Sequence, residues 1–138
     1  MKVPVFLAVL CLVPFLACGG HEDDDQNNAL MAPGQDCRGC HGSFTVAGTV
    51  FGSASADSGS GLAGITVILT DANQVDTTLT TNGAGNFFTQ AALALPLKKA
   101  ALVRHGTRTE MGGVPEGACN RCHTLPATGG AGGRLFAP

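Results

Sequence analysis

Between positions 44 and 104 the chain alternates short apolar runs with clusters of turn residues. Phe44, Val46 and Val50 alternate with Thr45, Ala47 and Thr49 as far as Gly52, the period of two expected of a half-buried strand. A loop of Ser, Ala, Asp and Gly follows from Ser53 to Gly61. In the next run, Ile65–Thr70, the residues Ile65, Val67 and Leu69 fall on one face, with β-branched residues throughout. Asp71–Gln74 reads as a turn, Thr77–Thr81 as a strand, Asn82–Gly85 as a tight reversal and Asn86–Thr89 as the strand after it. A last strand is expected from about Lys98 to Arg104, and the chain beyond it reads as irregular. Five or six short strands with turn signals between them predict a sandwich.

The pattern at the two ends differs. Met1 and Lys2 precede an apolar run from Val3 to Ala17, the sequence of a secretory signal and short for a membrane-spanning helix. Glu22–Asn28 is acidic and amide-rich without apolar periodicity, as in a solvated tether. At the other end, Thr128–Arg134 is glycine-rich and is expected to wrap a surface. The resulting division is a signal over 1–17, a tether over 18–34, a first site segment over 35–43, a β-domain over 44–104, and a second site segment with the tail over 105–138.

Composition narrows the function. The chain has 138 residues and a formal charge of −2, with no basic stripe to neutralise a phosphate backbone, so nucleic acid is not an expected partner. Twenty glycines and no Trp or Tyr suit a turn-rich, β-rich domain.

The six cysteines divide without remainder. Cys11 lies inside the signal. Phe15-Leu16-Ala17-Cys18-Gly19 resembles the end of a bacterial lipoprotein signal, with Phe15 where that family usually has Leu. The resemblance implies lipidation of Cys18, and Gly19 after it resembles lipoproteins sorted to the outer membrane. An ordinary cleaved signal or an uncleaved anchor is the alternative. The remaining four cysteines form two Cys-x-x-Cys pairs, and in an exported chain these also permit disulfides.

The residue after each pair points to different chemistry. Cys37-Arg38-Gly39-Cys40-His41 and Cys119-Asn120-Arg121-Cys122-His123 each carry the sequence for covalent haem attachment. Two thiols within one turn reach the two vinyl groups of a porphyrin, and the adjoining histidine turns back to the iron. The chain therefore resembles the c-type cytochromes. That resemblance implies two covalently bound haem c groups, with Cys37, Cys40, Cys119 and Cys122 as thioether anchors and His41 and His123 as proximal iron ligands. A zinc ribbon would separate its pairs by about 15–20 residues, whereas here a whole β-domain intervenes. A thioredoxin-like reading needs a βαβ context that the sequence lacks.

For the distal positions the candidates are Met111 and His105. Met31 and His21 are weaker, and five-coordinate iron is a third outcome. Against each stands the ordinary role of the residue: gap-filling for a methionine, a surface position for a histidine. Arg38, Arg121 and Arg134 are candidates to pair with haem propionates, or are solvated surface charges.

The β-region carries a second resemblance. Ala47-Gly48-Thr49-Val50, Gly61-Leu62-Ala63-Gly64-Ile65-Thr66-Val67 and Thr80-Thr81-Asn82-Gly83-Ala84-Gly85-Asn86-Phe87-Phe88 are similar to the strand motifs of the carboxypeptidase regulatory-like domain. This implies a small transthyretin-like or Ig-like β-sandwich that serves as scaffold. The expected fold class is thus mainly β, with the sandwich flanked by irregular or short helical haem-binding segments. The expected function is electron transfer by a lipid-anchored dihaem cytochrome in the bacterial periplasm, at the outer membrane or at the cell surface. Its partners would be other redox proteins or cytochromes, and the membrane through Cys18; an extension of this reading stacks haems between copies of the chain. A dihaem peroxidase-like enzyme, a gas-binding haem module and an adhesion module without haem are the competing classes.

Overall fold

A computed structural model describes residues 30–138. The expected signal over 1–17, the lipidation candidate Cys18, His21 and the tether as far as position 29 lie outside the described residues.

The described chain is mainly β, with the order α1 (Cys37–Cys40), β1 (Val46–Thr49), β2 (Thr66–Thr70), β3 (Asp76–Thr80), β4 (Asn86–Thr89), β5 (Leu97–Arg104), β6 (Thr107–Val114) and α2 (Cys119–Cys122). Every strand pair is antiparallel. β1 and β4 form one two-stranded sheet, and the other has the order β3-β2-β5-β6. β2 is central because its alternation puts Val67 and Leu69 in the interior while its backbone is paired on both sides. Ile65, Leu97, Leu102, Phe87 and Val114 complete the core around them. Each such side chain contributes about 1.5–3 kcal/mol on burial.

β1 departs from the period of two, since all four of its residues are buried. β4 pairs along one edge of β1, and the segment leading into α2 lies along the other. The Ala47 N–H donates to the Gly117 carbonyl at 2.8 Å. A Cβ on Gly48 would come within 2.8 Å of Cys119 Cβ and 2.7 Å of Phe87 Cζ, so a glycine is what lets α2 lie this close.

The irregular stretch expected after Arg104 is in fact a strand. β6 pairs along β5 from Arg104↔Thr107 to Leu97↔Val114, and the reversal is a two-residue turn at His105 and Gly106. Both turn residues have positive φ, 48° and 81°, as the twist of a tight hairpin requires. The strand escapes a reading of hydrophobic pattern because seven of its eight residues are exposed; it is a solvated edge held by backbone bonds to β5. Among the described residues no helix is long and apolar enough to cross a membrane.

Candidate functional site

Each Cys-x-x-Cys-His segment forms one helical turn closed by its histidine. The His41 N–H donates to the Cys37 carbonyl at 2.8 Å, and the His123 N–H donates to the Cys119 carbonyl at 3.0 Å. The motif residues are thus brought to one side of each turn, as the sequence predicts. Although equivalent positions are 82 residues apart in the chain, the fold sets the two turns side by side, because both pack on β1.

Asn120 makes the join, and sequence reasoning missed it. It occupies a position the motif leaves free, yet it is 3 % exposed. Its Nδ2 donates to the Gln35 carbonyl at 2.7 Å and to Thr49 Oγ1 at 3.0 Å, while its Oδ1 accepts from the Thr49 N–H at 3.0 Å. The same Nδ2 is 3.9 Å from Cys37 Sγ. Thr49, 0 % exposed, also accepts from the Gly34 N–H at 2.9 Å and donates to Asn86 Oδ1 at 2.7 Å, which uses its one donor and both acceptor positions. At the surface Arg121 adds an ion pair with Asp36 at 3.2 Å. Both free positions of the second motif therefore hold the first.

Burial raises the Cys119 thiol to about 12, with the neighbouring Cys37 adding to the effect, and burial likewise pushes the Cys37 thiol up. Such thiols are poor nucleophiles at neutral pH, unlike those of dithiol oxidoreductases. Cys37, Cys119 and Cys122 carry free thiols, whereas Cys40 is disulfide-bonded.

The second turn opens on an apolar cleft of about 330 Å³, whose walls include Cys119, Cys122, His123, Met111, Leu102 and Phe136. This lies within the size range of small-molecule sites, about 300–1,000 Å³. His123 Nδ1 lies 3.0 Å from the Gly133 carbonyl, and a carbonyl only accepts, so Nδ1 carries the proton. Nε2 lies 3.4 Å from the Met111 thioether sulfur, so the two side chains meet at the cleft wall. A backbone carbonyl on Nδ1 is also the usual way a metal-ligating histidine is oriented.

Met111 reaches this position because β6 places it opposite Ala100, beside the cleft. His105, the other distal candidate, is in the exposed β5–β6 turn and is not part of the cleft wall. His41 is placed differently: its ring stacks on Phe44 at 4.8 Å between centroids, and Phe44 stacks on Phe88 at 4.6 Å. Met31 lies at the surface, its carbonyl accepting from Asn86 Nδ2 at 2.6 Å. Among the described residues no three His, Cys, Asp or Glu side chains converge as a zinc site would need.

Comparison with protein-family models, curated proteins and solved structures finds no match to this chain.

Proposed function

We propose that the chain is an exported dihaem c-type cytochrome, anchored through lipidated Cys18, that carries electrons between redox proteins in the bacterial envelope or at the cell surface. Its scaffold is a transthyretin-like sandwich of the carboxypeptidase regulatory kind. The observation that carries the reading is the recurrence of Cys-x-x-Cys-His as two one-turn helices that both pack on β1, the second beside an apolar cleft that Met111 also lines. The residues fit the group: Cys119 and Cys122 would hold it covalently, His123 and Met111 would ligate iron, and Cys37, Cys40 and His41 would do the same at the first turn. Bound haem supplies a one-electron couple, which no side chain of this protein offers. With the two turns joined by Asn120, electrons would pass between haems within one chain.

The test is the full chain produced with a haem-attachment system, then denatured. Two covalent haems per chain are expected by mass and by pyridine haemochrome, and one in the Cys119→Ala/Cys122→Ala variant. Denatured protein without covalent haem would end the proposal. Rapid peroxide turnover would favour the enzyme reading instead.

A further inference from the structure

The four-stranded sheet ends on β6, and no other described segment pairs with the outer side of that strand. β6 runs for eight residues, seven of them exposed, and contains neither Lys nor Pro, residues that blunt such an edge in many proteins. The hairpin fixes which backbone groups are free. Arg104 and Thr107 flank a two-residue turn and form its closing pair, so by alternation the bonds to β5 come from Thr107, Thr109 and Met111. The N–H and C=O groups of Arg108 and Glu110 therefore point away from the sheet.

The same two residues carry the only charges of β6, and they have opposite signs. They lie two apart, hence on one face of the strand, and the ion pair between them keeps both side chains there. When two copies of such an edge pair antiparallel about a two-fold axis, outward groups meet outward groups only if the axis passes through a residue. An axis at Arg108 sets arginine against arginine, and one at Glu110 sets glutamate against glutamate. With the axis at Thr109, each Arg108 stands opposite the Glu110 of the other copy, and the two residues exchange both backbone bonds. Opposite charges directly across a strand pair stabilise it, and like charges destabilise it. The other edge of the sheet, β3, is shorter and has Asp76 as its only charge, so it offers a copy of itself nothing complementary.

We propose that β6 is a docking edge for a second copy of this chain, the two strands pairing about Thr109 so that their sheets join into one. Thr109 and Met111 line the cleft, so the clefts of the two copies then open on the same face of the joined sheet. The pairing needs no bound group and is independent of the proposed function.

The test is sedimentation equilibrium of the full chain in density-matched detergent. Between about 1 μM and about 1 mM the mass should rise from one chain towards two. Glu110→Arg puts like charges opposite one another in both pairs and should weaken association at least about tenfold, while the exchange Arg108→Glu/Glu110→Arg should restore it to within about threefold. Wild type that stays at one chain, or passes two, overturns the inference. So does a Glu110→Arg protein that associates like wild type, or an exchange variant no stronger than Glu110→Arg. If either variant does not fold, amide hydrogen exchange of wild type decides: slower exchange at Arg108 and Glu110 in the concentrated sample supports the pairing, and equal rates overturn it.

Discussion

Cys37–Cys40 and Cys119–Cys122 make the same helical turn with the same closing bond, and their surroundings diverge at once. The first turn has no buried residue, and its histidine leans on an aromatic stack that ends at the exposed Phe88. Behind the second turn lie β1, a cleft, a carbonyl against one histidine ring nitrogen and a methionine sulfur against the other. Identical motifs thus form identical turns, and neighbouring strands set what surrounds each of them. On the proposed function the two haems are inequivalent, with methionine ligation and the higher potential at the second.

The comparison is broken most directly by removing the methionine. Met111→Ala should lower the reduced-to-oxidised ratio of one haem by more than about 100-fold at fixed potential, a small part of the span of about 0.8 V that axial ligands cover. His105→Ala should leave both haems unchanged in the same titration. Equal effects of the two variants would mean that β6 does not supply the ligand.

The next effect concerns the join. Asn120→Ala strands the Gln35 carbonyl and the Thr49 N–H, and should cost about 3 kcal/mol in denaturant unfolding, since each buried group left unsatisfied costs about 1–3 kcal/mol. Both motifs should become more exposed to proteolysis together. Protection lost at one motif alone would show that the two turns are held independently.

The smallest effect is at a site that touches neither motif and so calibrates the others. Backbone N–H groups of Val75, Ala94 and Asn73 hold the Asp71 carboxyl below its usual range. A lowered native pKa gives stability that is present above the unfolded value and lost as pH falls through the native one. Asp71→Asn should therefore be less stable than wild type at pH 7, with the gap closing below about pH 4, while haem content stays at two. Unfolding midpoints across that range would show it.

Much of the scaffold was legible because burial on one face writes a period of two: Val67 and Leu69 on β2 are read directly, and the Asn86–Thr89 strand falls where expected. β6 was not legible, because an edge strand exposed along most of its length carries no hydrophobic alternation. Cys37, Cys119, Cys122, His123 and Met111 were identified from residue type, and the structure gathers the last four at one cleft. Asn120 stayed hidden because its role is set by two segments 85 and 71 residues away in sequence. Arg121, read either as a partner for a haem propionate or as a solvated charge, lies at the surface paired with Asp36 and Glu116.

The reach of that Asn120 contact also bears on timing. A hydrogen bond spanning 85 residues forms only after the strands between have closed, and contacts of large sequence separation are slow to form. Until then neither turn is held across the fold, and once Asn120 reaches Gln35 and Thr49 both are fixed together. On the proposed function, attachment to the thiols would therefore come before folding is complete.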